Sequence, residues 1–178
     1  MTPSDGVFLA ATIELAEQGR LTCAPNPPVG CIIVRGPQIL GRGYHVRTGE
    51  GHAEVNAIAD AGGDIQGATV YVSLEPCSFH GKTPACTDLL IRHNPKKVVI
   101  GSLDPNPRVS GSGVEILRQV GIDVEYGVLA KKAIALNKRF FIAMQTGRPY
   151  IILTWAQTAD GFLARTNYDS KWISNELS

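Results

Sequence analysis

Three short, largely apolar runs constrain this chain most: VGCIIV at 29–34, TVYVSL at 69–74 and VVIG at 98–101. Runs of this length without strict alternation read as strands covered on both faces, so helices must lie above and below the sheet they form. The segments between them supply those helices. Residues 5–18 set Val7, Phe8, Ala11, Leu15 and Ala16 at helical spacing, and Gly19 stops the run. Residues 50–61, 84–93, 113–120 and 129–144 read as further helices, the first closed by Gly62–Gly63. Residues 38–44 and 122–126 read as two more strands, the former entered through the Gly36–Pro37 turn. Alternation of this kind implies a layered α/β sandwich.

The chain has 178 residues, enough for one domain that buries a full core without disulfides. One boundary shows. Thr146–Pro149 ends the last helix and Tyr150–Trp155 opens a new hydrophobic strand, dividing residues 1–146 from 147–178. The second piece is too short for a core of its own.

Charge excludes some functions. Lys plus Arg is 17 and Asp plus Glu is 16, a net charge of +1, whereas domains that coat nucleic acid carry a basic excess. No apolar stretch approaches the ~20 residues of a membrane helix. The amino terminus carries acids and no basic region, unlike a secretory signal. A cytoplasmic setting is therefore expected, and the four cysteines should be thiols or metal ligands. Cys23, in a proline loop, and Cys31, inside VGCIIV, read as ordinary thiols.

Cys77 and Cys86 differ. His52–Ala53–Glu54 opens a helix; a strand later comes Pro76–Cys77, then Cys86 at another helix start after eight intervening residues. One imidazole and two thiolates suit zinc, and three protein ligands leave a fourth position for water, as in catalytic sites. Zinc lowers the pKa of that water towards ~7. Glu54, two positions from His52, is placed to carry a proton from water to a leaving amine. H-x-E followed by P-C-x-x-C is a zinc deaminase signature, from which the wider cysteine spacing departs. His-x-Glu alone is commonly surface polarity, and two cysteines can be buried small hydrophobes. The conjunction argues against both.

The stretches PNPPVGCIIV (25–34), GRGYH (41–45), HAEVNAI (52–58), SLEPCSFHGKTPAC (73–86) and DPNPRVSGSG (104–113) resemble the deaminase domain of the bifunctional riboflavin biosynthesis deaminase/reductase family. The resemblance runs from about Asp5 to Met144. It implies a three-layer cytidine deaminase-like fold, with a mixed five-stranded sheet and helices on both faces. It also implies zinc-dependent hydrolytic deamination of a diaminohydroxyphosphoribosylaminopyrimidine, a small phosphorylated substrate, by a homo-oligomer. His52, Cys77 and Cys86 match the ligands of one zinc ion and Glu54 the proton shuttle. Asn26, His45, Asp104 and Asn106 match positions lining the substrate pocket, and Lys82 sits in the loop between the cysteines, a cation for the ribose phosphate. Residue chemistry alone leaves blander readings open. Asn26 and the DPNP stretch are also turn formers, His45 a polar strand end and Lys82 a solvated cation.

YIILTWAQTADGFLA (150–164) and SKWI (170–173) resemble the opening of the family's reductase domain, which has a dihydrofolate reductase-like fold and uses NADPH. Ser170 matches a substrate position there, and Ala156 and Trp172 match cofactor positions. Thr154 stands where the family has Lys. With only the opening of that domain in this sequence, no reductase activity is expected from the chain alone. Two other readings remain: a zinc deaminase of the same fold acting on a free nucleobase, a nucleoside or a tRNA adenosine, and a non-catalytic zinc-binding protein. The cysteine spacing, DPNP and the neutral charge count against a tRNA editor, and Glu54 against the non-catalytic protein.

Overall fold

The computed structural model describes residues 3–79, 81, 84–107, 109–164 and 166–168. The apolar runs form the middle of one five-stranded sheet. In chain order its strands are β1 (Gly30–Arg35), β2 (Gln38–Tyr44), β3 (Thr69–Leu74), β4 (Lys97–Ser102) and β5 (Asp123–Tyr126), arranged β2-β1-β3-β4-β5. β1 runs antiparallel to both β2 and β3, while β3, β4 and β5 are parallel. The sheet is thus mixed, as expected.

Pleating sorts the strand residues into two cores. Cys31, Ile33, Val70, Val72, Val98 and Ile100 face a buried cluster that includes Ala57 and Ile58 of α2 (Ala53–Asp60), Leu90 of α3 (Cys86–His93) and Leu117 of α4 (Ser112–Gln119). Their neighbours Ile32, Val34, Tyr71 and Val99 face Leu9 of α1 (Pro3–Ala16). Apolar residues on successive positions therefore reflect helices on both faces. The remaining helices are α5 (Ala130–Leu136) and α6 (Lys138–Thr146), with a short 3-10 turn at Glu17–Gly19.

Three expectations need correction. The most deeply buried residues of α1 are Asp5, Leu9, Thr12, Ile13 and Ala16, and the expected Phe8, Ala11 and Leu15 pack partly buried beside them, whereas Val7 is exposed. Asp5 can be buried because it accepts a hydrogen bond from Tyr71 Oη at 2.8 Å and pairs with Lys97. The expected helix over 129–144 is two helices broken at Asn137. That side chain is buried and donates to the Pro28 carbonyl at 3.1 Å. Finally, residues 150–155 form no strand. A strand needs a hydrogen-bonding partner, and among the described residues this segment has no ladder.

By contact density the chain divides into residues 1–148 and 149–178. In the second unit the described residues are mostly exposed, Ile151, Leu153 and Trp155 among them. No helix among the described residues is long and apolar enough to cross a membrane.

Candidate active site

The site gathers at the carboxyl ends of β3 and β4, where open α/β sheets commonly bind ligands. His52 is the residue immediately before α2, and Glu54 lies in that helix's first turn. Close packing sets where α2 begins. A Cβ on Gly41 would lie 2.2 Å from the Ala57 carbonyl oxygen, and one on Gly43 would lie 2.3 Å from the Ala57 nitrogen. The two glycines of GRGYH thus let α2 lie directly on β2.

Cys77 follows β3, and Cys86 is the first residue of α3. The loop between them closes through backbone. Thr87 N–H donates to the Cys77 carbonyl at 3.1 Å, and Cys86 N–H to Cys77 Sγ at 3.3 Å. His52 Nδ1 lies 3.3 Å from Cys86 Sγ and 3.5 Å from Cys77 Sγ, and all three donor atoms fall within 4.8 Å of one another. Tetrahedral zinc with bonds of ~2.0–2.3 Å requires nitrogen–sulfur separations of about 3.5 Å. The geometry fits.

The electrostatics fit as well. Cys77 is drawn down to about 4, chiefly by the hydrogen bond with Cys86, while Cys86 is pushed up, chiefly by Cys77 and then by burial. The opposed directions show two sulfurs close enough to compete for a proton, and a metal ion binds them once both are thiolates. His52 is raised, chiefly through its hydrogen bond to Cys77. Glu54 is buried, and desolvation pushes its carboxyl up to about 7.

A cavity of about 480 Å³ opens over this cluster, within the range of small-molecule sites. Its wall includes His52, Glu54 and Cys77 together with Asn26, His45, Asp104 and Asn106, so the expected pocket residues in the described part of the chain share one wall. Asn26 sits in a braced loop. Thr48 Oγ1 donates to the Ala24 carbonyl at 2.9 Å, and Asn137 holds Pro28 at the loop's far end. His45 uses both ring nitrogens. Nδ1 lies 3.1 Å from the Gly51 carbonyl, which only accepts, so Nδ1 carries the proton and Nε2 accepts from Asn26 Nδ2 at 3.0 Å. Burial lowers the pKa of His45 and favours this neutral form. Asp104 Oδ1 accepts from Asn106 N–H at 2.8 Å, shaping the turn, and burial raises its carboxyl.

Lys82, Ser170 and Trp172 lie outside the described residues. Ala156 is exposed in an irregular segment of the second unit. The sequence reading passed over several lining residues: Glu75, Phe79, Phe140 and Met144. Phe140 and Met144 stand four apart on α6, a spacing that puts them on one helix face. Glu75 directly precedes Pro76–Cys77.

Fold and donor set define a class: an α/β protein with a three-ligand zinc centre beside a buried carboxyl group. The chain belongs to the cytidine and deoxycytidylate deaminase family, whose zinc-binding region matches residues 3–102. It is 49% identical over 175 residues to the riboflavin biosynthesis protein RibD of Actinobacillus pleuropneumoniae, covering 98% of this chain and 46% of that protein. It is 48% identical over 145 residues to the diaminohydroxyphosphoribosylamino-pyrimidine deaminase of Buchnera aphidicola subsp. Schizaphis graminum, covering 82% of this chain and 99% of that one. The structure of Acinetobacter baumannii RibD matches with a TM-score of 0.91 at 46% identity, over 96% of this chain and 48% of that one. The chain thus spans about half the length of the RibD relatives it matches.

Proposed function

We propose that this chain deaminates a diaminohydroxyphosphoribosylaminopyrimidine in riboflavin biosynthesis. The carrying observation is the convergence of His52, Cys77 and Cys86 on one point, with the Glu54 carboxyl in the same cavity wall. The choice of substrate is supported by the 48% identity that extends over 99% of the Buchnera deaminase.

His52, Cys77 and Cys86 would hold a zinc ion, which would supply Lewis-acid activation of water at neutral pH. Glu54 is placed to accept a proton from the attacking water and to deliver protons to the ring nitrogen and the departing amine. A carbon–oxygen bond forms, the exocyclic carbon–nitrogen bond breaks, and ammonia leaves. A carboxyl buried enough to hold a proton near neutrality suits both directions of that transfer. Asn26, its Nδ2 committed to His45, offers Oδ1 and its second N–H to the pyrimidine edge. Asp104 and Asn106 line the same cavity, and Phe79, Phe140 and Met144 supply apolar surface for the flat ring. Lys82 is proposed to meet the phosphate. Four cysteines outside any disulfide, two of them the proposed metal ligands, accord with the reducing cytoplasm.

The test is ammonia release from the phosphoribosylaminopyrimidine beside cytosine, cytidine, guanine and a tRNA, with zinc counted per chain. Turnover confined to the first compound, with one zinc per chain, supports the reading. Equal or faster turnover of another compound rejects the substrate. Glu54→Gln should cut kcat by about 10²–10⁴-fold at unchanged zinc content; a mutant at full rate overturns the proton-carrier role.

A further inference from the structure

Glu75 is a buried carboxylate at the end of β3 that takes no part in the proton chemistry above. Its backbone N–H donates to the Ser102 carbonyl at 2.9 Å, which fixes it against the end of β4. Its side chain accepts three backbone hydrogen bonds. Oε2 takes the N–H of Asp104 at 3.0 Å and of Gly111 at 3.0 Å, and Oε1 takes the N–H of Gly113 at 2.9 Å.

These donors bracket one loop. Asp104 opens it, Gly111 closes it and Gly113 lies in the first turn of α4, so a single oxygen pins both ends. Between the pins, the Asn106 carbonyl accepts from the N–H groups of Val109 and Ser110, both at 2.9 Å, and the Asn106 N–H is held by Asp104. The glycines make the clamp possible. Gly111 adopts φ +84°, and a Cβ on Gly113 would lie 3.1 Å from Glu75 Oε1 and 2.5 Å from the Pro76 carbonyl oxygen.

We propose that Glu75 is a positioning residue: its carboxylate holds Asp104, Gly111 and Gly113 in the one arrangement that presents Asp104 and Asn106 to the ligand. Only a carboxylate meets the need. Both oxygens must accept, and an amide at the same place would turn an N–H against a backbone N–H. The Gly113 N–H is buried and the other two donors are half-buried. A buried donor deprived of its acceptor carries the full desolvation penalty, so losing the acceptor at Oε1 drives the start of α4, and the loop joined to it, out of this shape. The proposal rests on the deaminase reading for the ligand's identity but not for the clamp.

Glu75→Gln in the zinc-loaded full chain tests it. Amide exchange at Asp104, Gly111 and Gly113 should quicken at least about tenfold, the equivalent of a 1.4 kcal/mol loss, while α2 amides and zinc content stay at wild-type values. KM should rise about tenfold with kcat nearly kept, the pattern of lost uniform binding. Unchanged loop exchange, unchanged KM, or a fall in kcat alone would each overturn the proposal. Should the variant fail to fold, the wild-type protein still decides: these three amides must be protected, and free exchange at them rejects the clamp. Because exchange needs no turnover, failure of the deaminase reading is told apart from failure of the clamp.

Discussion

At the residue scale the cavity holds polar side chains with different duties, and hydrogen-bond partners separate them. His45 has both ring nitrogens engaged, one by Gly51 and one by Asn26. The expectation is therefore that it acts through Asn26, by fixing which way that amide faces. A double-mutant cycle reads this directly. His45→Ala and Asn26→Ala should each raise KM, and the double mutant should stay within about twofold of Asn26→Ala, because residues in one network are not additive. Additive KM effects at constant zinc content would mean that His45 contacts the ligand itself. In the sequence His45, like Asn26, stood out only through the resemblance, since a histidine ending a strand has no spacing of its own. The zinc ligands were different: an imidazole, a carboxyl and two thiols at helix starts and loop ends carry their chemistry openly. Glu75 was hidden for a physical reason. Its three partners are backbone N–H groups 29 to 38 positions away, and backbone donors leave no mark on residue type.

At the element scale the contact that matters most for the site is α2 on β2. The helix approaches so closely that Cβ atoms at Gly41 and Gly43 would overlap its backbone, and this approach sets where His52 and Glu54 emerge. Gly43→Ala should displace the start of α2. Overpacking of this kind costs about 1–3 kcal/mol, roughly 2–12 °C in Tm for a domain of this size, and zinc affinity should fall with it. A calorimetric scan and a zinc competition titration check both; wild-type zinc affinity in the variant would show that the site does not depend on the seating of α2. The strands were readable because burial on both faces leaves a local trace in composition. The break at Asn137 was not, because the hydrogen bond that the side chain makes there is to a carbonyl 109 residues away. That break matters to the site, since α6 carries Phe140 and Met144 into the cavity wall. The expected strand at 150–155 shows the limit of such reading: apolar residues state a preference for extended chain, but pairing makes a strand.

At the scale of the deaminase unit, stability and metal binding are separable. The sheet's two cores hold Ile33, Val70, Val72, Val98 and Ile100 on one side and Leu9, Ile32 and Val99 on the other, all buried, without the aid of the three ligands. The donors instead link three segments at one edge of this framework: the start of α2, the loop after β3 and the start of α3. A zinc-finger peptide has no core and unfolds without its ion; a chain with two filled cores should not. Zinc that binds the folded site far more tightly than the unfolded chain adds up to about 2.7 kcal/mol at a free concentration one hundred times its Kd. For this length that amounts to roughly 5–11 °C in Tm. Chelation should therefore abolish turnover and lower Tm by that amount, while far-ultraviolet circular dichroism at 25 °C stays at its native value and returning zinc restores both. Loss of the helical signal on chelation would make the ion a structural staple, and an unchanged Tm would mean that the three donors do not share it.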